Sequence, residues 1–334
     1  METYIIAEIA QAHDGSLGIA HSYIEALKGT GVNAVKFQTH IAEAESSTFE
    51  PFRVKFSYED KTRYDYWKRM EFSTEDWIGL KKHCDDAGVE FISSPFSNAA
   101  VDLLEKAGVS KYKIGSGEVT NFLLLEKVAK TGKEIILSSG LSPLRELAES
   151  IQFLNGFRNK LSLLQCTTEY PAKPESWGLN QIAELKSYFN LPVGFSDHSG
   201  NIYAGLAAAA VGADILEFHV VFDKKMFGPD SMASITIDEV NKLTEGVKQI
   251  NSSISINLRK EFYSPDGSLK KMFEKSLSVN KDLPEGHIIE FSDLEAKKPR
   301  DYGIDAKLYK GVIGKRLNKC KNKWEFLREE DLSK

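Results

Sequence analysis

Two histidines follow consecutive apolar runs near the middle of the chain. His198 comes after the run 191–195, and His219 comes after the run 215–218. The alanine-rich segment 203–211 between them predicts a closely packed helix, so the pattern is that of two parallel strands joined by a helix. One histidine alone would be interpreted as a hydrogen-bonded neighbour of the core. Because both are expected at the same carboxyl edge, they predict half of the ligand shell of a divalent metal.

Two lysines lie inside other apolar strand sequences. Lys36 and Lys113 are flanked so tightly by apolar residues that each needs a counter-charge, which burial alone does not provide. With nearby hydroxyls and the glycine-rich turn 115–117, the two lysines predict a phosphate site. The turn is not a dinucleotide-binding motif, because Thr120 stands where the third glycine is required, and the chain contains no Walker-type lysine motif.

Further polar side chains stand at or just after the ends of the predicted strands. They are Glu8, Gln38, Ser94, Ser116, Glu118, Ser138, Thr168, Tyr170 and Ser196. Since the carboxyl ends of parallel barrel strands form one face, these groups are expected to share one site with the histidines and lysines. A phosphate site, a two-histidine metal site and the Glu8 carboxylate together suggest condensation of a phosphorylated small molecule with a second, polar substrate.

The elements that must position these groups alternate between strand and helix. Short apolar runs, each followed by a few polar or glycine residues and an amphipathic helix, predict strands at residues 4–9, 34–37, 89–92, 111–114, 134–137, 161–165, 192–195 and 214–218. This number of alternations favours a closed (β/α)₈ barrel over a doubly wound sheet, which typically has fewer parallel strands.

Three of the connecting helices have clear boundaries in the sequence. One begins after Ser73, uses Asp76 as its capping-box partner and ends at Gly88. Ser142 is predicted to cap a second helix. The inward stripe of that helix is predicted to be Leu144, Leu147, Ala148, Ile151 and Leu154. Asp238 is predicted to cap the last helix of the barrel.

The length of the chain, 334 residues, leaves room for a second domain behind the barrel. After Ser252 the pattern changes to a polar linker and then to short strands separated by turn residues. We therefore predict a barrel at 1–255, a linker at 256–272 and a small β-rich domain at 273–334. A long insertion at 41–72 interrupts the second repeat, and it is either a surface excursion or a lid over the active-site face.

The composition excludes several classes of function. Hydrophobic residues make up 42% of the chain and charged residues 27%, and the net charge is −5, which is typical of a globular protein without a basic nucleic-acid surface. The three cysteines show no metal-type spacing and the first residues lack a secretion signal, so a reduced cytoplasmic location is expected. No stretch approaches the roughly 18 apolar residues of a membrane span.

Short motifs run through the whole chain in a characteristic order: AEIAQAHDG, VKFQT, FISSPFS, YKIGSGE, ILSSG, CTTEYP, GFSDHS, LEFH, FGPD, SLSVNKDLPEGHII and AKKPRDYGI. In this set and order they resemble the sialic acid synthase family, which includes synthases for legionaminic and pseudaminic acids. The resemblance implies an enzyme that joins phosphoenolpyruvate to an N-acetylated hexose and releases phosphate. The hexose would be N-acetylmannosamine or a related 6-deoxy diacetamido sugar.

The resemblance also implies an architecture and a set of site residues. It implies a (β/α)₈ barrel with a C-terminal antifreeze-like (SAF) domain, in a domain-swapped homodimer whose small domains cap the partner's active site. The implied metal ligands are His198 and His219, holding Mn²⁺, with Mg²⁺ or Co²⁺ as alternatives. The implied phosphoenolpyruvate contacts are Lys36, Ser94, Lys113, Ser116, Ser138, Thr168 and Ser196. The implied sugar contacts are Gln38, Glu118, Tyr170 and Asp230, and Glu8 is the carboxylate implied to handle water or a proton.

One departure from the family pattern lies in the small domain. Where well-known members have an arginine before Pro-Gly, this chain has Lys298, Pro299 and Arg300. In the family that arginine contacts the partner's sugar, so we expect Lys298 or Arg300 to bind the sugar in its place and to point into the partner's barrel near Tyr170 and Asp230. The choice among hexoses is expected to depend on the tyrosine-rich part of the insertion, residues 58–67.

Two other classes of function stay open at this stage. A metal-dependent barrel hydrolase would also need histidines at strand ends, although it usually carries an HxH pair on its first strand, where this chain has only His13. A non-catalytic carbohydrate-binding barrel is the second alternative. The intact Lys36, Lys113, His198 and His219 argue against such a scaffold.

Overall fold

The computed structural model describes residues 2–256 and 267–333. The chain folds as two units, Met1–Ile256 and Asn257–Lys334. Most of the predicted linker, 256–272, lies outside the described residues. Its last part is helical, because helix α11 spans Gly267–Phe273. No helix in the described ranges is long and apolar enough to cross a membrane.

Eight parallel strands close on themselves in the first unit, which confirms the predicted barrel. Each strand pairs with the next along the chain, and β1 also pairs with β8. The strands are β1 Tyr4–Ala10, β2 Ala34–Thr39, β3 Glu90–Pro95, β4 Lys111–Ile114, β5 Glu134–Ser138, β6 Leu161–Cys166, β7 Val193–Asp197 and β8 Ile215–Val221. Most of the strands extend beyond their predicted carboxyl ends, because the polar residues that follow the apolar runs still pair with the neighbouring strands. A short strand β9, Ile235–Thr236, pairs with the end of β8.

Helices follow the strands and cover the outside of the barrel. They are α1 Leu17–Leu27, α2 Ala42–Glu45, α3 Arg63–Met70, α4 Thr74–Ala87, α5 Asn98–Ala107, α6 Phe122–Ala129, α7 Leu144–Asn155, α8 Asn180–Phe189, α9 Tyr203–Ala210 and α10 Ile237–Ser255. Helix α4 has the predicted boundaries, with a reciprocal capping box between Ser73 and Asp76 and a left-handed Gly88 at its end. Helices α2 and α3 lie within the insertion 41–72.

Two of the predicted helix starts are wrong by one or two residues. Helix α7 has Pro143, not Ser142, at its N-cap and makes no side-chain cap hydrogen bond. Leu144 is exposed and Ala148 is only partly buried, while Ser150 takes an inward position and donates to the carbonyl of Val119. Helix α10 is capped by Thr236 rather than Asp238. Thr236 and Glu239 form a reciprocal capping box there, which satisfies two backbone N–H groups where Asp238 would satisfy one.

The interior of the barrel is built in layers, because alternate residues of a strand face the same side. A closed apolar layer fills the lower part of the barrel, and it consists of Ile6, Ala34, Ile92, Ile136, Leu164 and Ile215. The residues two positions further along the same strands are Glu8, Lys36, Ser94, Ser138, Cys166 and Glu217. A polar layer therefore lies directly above the apolar layer, at the carboxyl end of the barrel.

The second unit has its own small core and little regular structure. Strands β10, Ser276–Val279, and β11, Leu294–Lys297, pair in antiparallel fashion. Its buried apolar residues are Leu277, Val279, Leu283, Ile289, Ile304, Val312, Leu317, Leu327 and Leu332. Short 3₁₀ helices connect the remaining segments, at Phe291–Asp293, Ala306–Gly311 and Glu329–Asp331.

Candidate active site

The two buried lysines belong to a charge cluster in the polar layer of the barrel. Lys36 Nζ forms an ion pair with Glu8 and lies 3.7 Å from Glu217 Oε2, while Lys113 Nζ lies 3.3 Å from Glu217 Oε1. All four side chains are at most 4% exposed. Protein carboxylates therefore supply the counter-charge that each lysine needs, and the prediction of a phosphate site did not include them. The register of the barrel supplies them, because Glu8 is opposite Lys36 in β1 and β2, and Glu217 lies on β8 beside β1.

Glu217 is the residue of this cluster that the sequence analysis missed. A signal for it was present, since Glu217 stands two residues before His219 in a strand and must face the same side. Burial alone would raise the pKa of the Glu217 carboxyl, but Lys113 and Lys36 outweigh burial and lower the pKa to about 2. Burial lowers the pKa of Lys113 and raises that of Glu8. Glu217 is therefore the ionised carboxylate that both lysines share.

The hydroxyls predicted to contact phosphoenolpyruvate lie around the two lysines. Lys113 Nζ donates to Ser138 Oγ over 2.7 Å, and Lys36 Nζ donates to Ser94 Oγ over 3.4 Å. Ser196 Oγ donates to Glu217 Oε1 over 3.1 Å. These three serines are thus brought together with the lysines, as the carboxyl-edge argument predicts. In this arrangement the hydroxyls also satisfy hydrogen-bonding groups of the buried charges, as acceptors from the lysines and as a donor to Glu217.

A second group of hydroxyls surrounds Gly140, just beyond the end of β5. The backbone N–H of Gly140 donates to Ser116 Oγ over 3.1 Å. A Cβ atom at Gly140 would lie 2.5 Å from Thr168 Oγ1, 2.7 Å from Ser116 Oγ and 3.0 Å from Cys166 Sγ. Only glycine fits between these groups. The loops after β4, β5 and β6 therefore meet in a cradle of small polar side chains.

A methyl group at Gly140 is expected to disrupt this cradle. We expect Gly140→Ala to raise the KM for phosphoenolpyruvate by about tenfold or more, since displaced hydroxyls lose hydrogen bonds to an anion. The matched control is Gly79→Ala in α4, where an added Cβ meets no atom within 4 Å. Steady-state kinetics with both substrates varied gives the measurement. An unchanged KM for phosphoenolpyruvate in Gly140→Ala would show that the cradle does not hold this substrate.

The two histidines converge as predicted. Their ring centroids are 5.3 Å apart, and both side chains are buried. His198 Nδ1 lies 2.9 Å from the carbonyl oxygen of Thr167 and donates to it. Burial would lower the pKa of His198, but its contacts with Cys166 and Thr167 outweigh burial and raise it. Tyr170 Oη lies 3.2 Å from His198 Nε2. Burial lowers the pKa of His219 to about 3, with Asp230 opposing the shift, so His219 is neutral.

Two converging imidazoles fit a divalent metal, and because histidine binds metals in its neutral form, binding would release any proton held on His198 Nε2. Within residues 2–256 and 267–333, no group of three or more His, Cys, Asp or Glu is arranged to hold a metal ion. A metal at His198 and His219 would consequently take the other half of its ligand shell from water and substrate oxygens.

An open cleft of about 420 Å³ lies above the polar layer. The four barrel residues predicted to contact the sugar line it together with His219, namely Gln38, Glu118, Tyr170 and Asp230. The insertion 41–72 forms one wall of the cleft. That wall consists of Glu45, Glu50, Phe52, Arg53, Val54, Phe56, Arg63, Tyr66 and Trp67. The tyrosine-rich part contributes through Tyr66 and Trp67, whereas Tyr58 is 90% exposed.

A histidine that the sequence analysis overlooked connects this wall to Glu8. His40 stacks between Trp67 and Phe96, at centroid distances of 3.9 Å and 4.6 Å, and its Nδ1 lies 2.6 Å from Glu45 Oε1. On its other side, Nε2 lies 2.9 Å from Gln11 Nε2, which also donates to Gln38 Oε1. Gln38 Nε2 donates to Glu8 Oε1 over 3.1 Å. The His40 ring thereby orients the two amides that lead to Glu8.

Lys298 and Arg300, the basic residues predicted to reach a partner's site, have partners within the second unit. Arg300 pairs with Glu274 at 2.5 Å and with Asp305 at 3.2 Å. The ammonium group of Lys298 lies 4.7 Å from the ring centroid of Phe273. Their predicted role in a partner's site stays a prediction. His13, the lone histidine just after the first strand, is 1% exposed, packs against the Phe72 ring at a tilt of 37° and does not line the cleft. It therefore gives a barrel hydrolase no first-strand ligand in the cleft.

Comparison with known proteins places these observations in a family. A protein-family model described as "NeuB family" matches residues 23–257. The N,N′-diacetyllegionaminic acid synthase of Campylobacter jejuni is 36% identical over 334 residues, which cover 98% of this chain and 99% of that protein. The human N-acetylneuraminate-9-phosphate synthase is 30% identical over 318 residues, which cover 94% of this chain and 88% of that protein.

A solved structure extends the comparison to three dimensions. The N-acetylneuraminic acid synthetase of Leptospira borgpetersenii, in complex with citrate, has a TM-score of 0.71 and 28% identity to this chain. The match covers 80% of this chain and 90% of the Leptospira chain. Because the family model spans most of the barrel and the relatives match nearly the whole length, the chain belongs to the NeuB family of sialic acid synthases.

Proposed function

We propose that this protein condenses phosphoenolpyruvate with an N-acetylated hexose and releases phosphate, producing a sialic-acid-type 2-keto acid. The hexose is N-acetylmannosamine or a related 6-deoxy diacetamido sugar. The observation that carries the proposal is that two groups of polar residues lie one above the other in the mouth of the barrel. A cluster of lysines and hydroxyls lies beneath a cleft that is lined by a candidate metal ligand, His219, and by hydrogen-bonding groups suited to a sugar.

Phosphoenolpyruvate is expected to lie deepest in the barrel. Lys36 and Lys113 supply positive charge there, and the hydroxyls of Ser94, Ser138 and Ser196 surround them. The cradle of Ser116, Gly140 and Thr168 offers further short donors for the phosphate oxygens. The trianionic substrate adds negative charge to a cluster whose own charges balance, so the hydroxyl donors around the lysines are proposed to carry much of its binding.

His198 and His219 would hold the divalent metal, for which we propose Mn²⁺, with Mg²⁺ or Co²⁺ as alternatives. When bound, such an ion supplies Lewis acidity toward the aldehyde oxygen of the open-chain sugar. The chain's own contribution is to orient both imidazoles and to keep His219 neutral. The Thr167 carbonyl accepts from His198 Nδ1 and so fixes that ring, and burial lowers the pKa of His219.

The reaction balances with one water. The enol carbon of phosphoenolpyruvate bonds to the aldehyde carbon, and the aldehyde oxygen takes up a proton from solvent. Water adds to the second carbon of the former phosphoenolpyruvate and gives one proton to a carboxylate, which returns it to solvent. The carbon–oxygen bond to phosphate then breaks, and the second proton of the water leaves with the phosphate as the ketone forms. Glu8 is the carboxylate proposed for this proton, because its raised pKa suits a group that gains and loses protons, and Gln38 holds it in place.

The second unit is proposed to be the antifreeze-like domain of a domain-swapped homodimer. Two observations support this proposal. The segments SLSVNKDLPEGHII and AKKPRDYGI resemble motifs of the family, and the second unit has an apolar core of its own. A domain with so small a core gains stability by docking onto a larger surface.

The proposed activity is tested by phosphate release from phosphoenolpyruvate. The purified full-length protein is incubated with N-acetylmannosamine, its 6-phosphate or the 6-deoxy diacetamido hexose, with Mn²⁺ and after chelation. We expect sugar-dependent phosphate release and an equal amount of 2-keto acid, both lost on chelation. Phosphate release without sugar, or none with any N-acetylated hexose, would contradict the proposal.

A further inference from the structure

Arg53, in the insertion 41–72, lies at the mouth of the cleft above the candidate metal-binding histidines. Its guanidinium carbon is 4.1 Å from the ring centroid of Tyr170, and that ring stacks on His198 with centroids 4.1 Å apart. Arg53 Nη2 donates to Asp230 Oδ1 over 2.6 Å and to the carbonyl of Pro229 over 3.4 Å. The arginine thus caps a column of rings and contacts two of the residues that line the sugar side of the cleft.

The remaining donors of Arg53 are available to a ligand. A guanidinium has N–H groups at Nε, Nη1 and Nη2, and only Nη2 has a hydrogen-bond partner among the described residues. The side chain is 37% exposed and lines the cleft. Its plane is fixed by the Tyr170 ring on one face and by Asp230 at its edge. Little side-chain entropy would therefore be lost when Nε and Nη1 bind an acceptor.

The charges of the cleft indicate what kind of acceptor this is. Arg53 is paired with Asp230, and Arg63 is paired with Glu50 at 2.9 Å. Below them, Lys36 and Lys113 are paired with Glu8 and Glu217. Among the described cleft residues, each arginine already has its own carboxylate, so a second anion at the mouth would meet no surplus positive charge. A neutral, strongly accepting oxygen is favoured, and the amide carbonyl of an acetamido group is such an oxygen.

We infer that Arg53 determines sugar specificity by donating from Nε and Nη1 to an acetamido carbonyl of an unphosphorylated N-acetylated hexose. This inference rests on the proposed function. The arginine is supplied by the same chain that supplies the barrel. It lies above the two lysines, which are at most 4% exposed, so it meets the second substrate rather than phosphoenolpyruvate.

The test compares Arg53→Gln and Arg53→Lys with the wild-type enzyme, using whichever of N-acetylmannosamine and the 6-deoxy diacetamido hexose is turned over faster. Loss of a charged hydrogen bond is expected to lower kcat/KM for the sugar by about 10- to 100-fold in Arg53→Gln. Arg53→Lys keeps the charge but loses the planar guanidinium. Its kcat/KM for the sugar should therefore lie between the values for Arg53→Gln and the wild type. The KM for phosphoenolpyruvate should change less than about twofold, within the scatter expected for an unaffected contact.

Two controls separate contact with the sugar from a structural role. Arg145→Gln removes an arginine on α7 that is 86% exposed, and it should leave the kinetics unchanged. The double variant Arg53→Gln/Asp230→Asn should be less active than Asp230→Asn alone if Arg53 contacts the sugar. Equal activity of these two variants would mean that Arg53 acts only through Asp230 and would overturn the inference.

The outcomes also separate this inference from the proposed function. A wild-type enzyme that releases phosphate while Arg53→Gln has unchanged kinetics, or raises both KM values equally, overturns the role of Arg53 alone. A clear preference of the wild type for N-acetylmannosamine 6-phosphate overturns the neutral-sugar assignment. A wild-type enzyme that is inactive with every sugar overturns the proposed function, and the inference fails with it.

Discussion

Replacing Glu217 with glutamine is expected to destabilise the barrel by about 3–5 kcal/mol, the cost of breaking a buried ion pair by removing one partner. Lys36 and Lys113 share this carboxylate, and both are almost fully buried. In Glu217→Gln the two lysines would have only Glu8 between them, so one buried charge would be unpaired. Urea unfolding of the variant and of the wild type measures the difference in the free energy of unfolding.

A second substitution shows whether the charge is responsible. Removing the surplus lysine charge in Glu217→Gln/Lys113→Met should restore part of the lost stability, because the double variant again has a balanced cluster. The exposed pair of Lys82 and Asp86 on α4, 2.6 Å apart, provides the control. Asp86→Asn should unfold close to the wild-type urea concentration. A Glu217→Gln variant as stable as Asp86→Asn would show that the buried cluster contributes no stability.

Alanine at His219 is expected to lower turnover by roughly 10³-fold or more while the fold is kept, because Lewis-acid stabilisation of the developing charge contributes several kcal/mol. The same loss is expected for His198→Ala, since both imidazoles would bind one ion. Titration of the apoprotein with Mn²⁺ in a calorimeter gives a readout that does not depend on activity. Both variants should lose the Mn²⁺ binding seen in the wild type.

The matched control is His83→Ala. His83 is a surface histidine on α4 that pairs with Glu25 at 2.7 Å, and it is not part of the cleft. This variant should bind Mn²⁺ and turn over substrate like the wild type. If His219→Ala released phosphate at the wild-type rate after chelation, the assignment of the metal to the two histidines would be lost.

The predicted fold was largely correct because it depends on local patterns. Apolar runs at strand spacing predicted all eight barrel strands, and the signals at Ser73, Asp76 and Gly88 predicted α4 with its caps. The helix starts at Ser142 and Asp238 were wrong. At α7 no side chain caps the helix, because Pro143 occupies the N-cap. At α10 the reciprocal pair Thr236 and Glu239 satisfies more backbone groups than Asp238 does.

The part of the candidate site that could be predicted consists of residues whose side of the strand follows from the two-residue strand period. The convergence of His198 and His219, and of the serines with the two lysines, required only that parallel strands share a carboxyl edge. Glu217 was missed because it was counted as part of an apolar run, although its spacing from His219 places it on the inward face. His40 was missed for another reason. Its partners Trp67 and Glu45 lie in the insertion, whose path has no periodic signal.

The sequence by itself determined which residues face the interior of the barrel, because the two-residue period of a strand is a property of neighbouring residues. Only the tertiary structure decided which charges pair. Glu217 meets Lys113 through the closure of the barrel, and Arg53 meets Asp230 across a separation of 177 residues. Such contacts depend on the register of the strands and on how a long insertion folds back. Each is set by the packing of the whole chain, because no local pattern encodes the distance between residues so far apart in sequence.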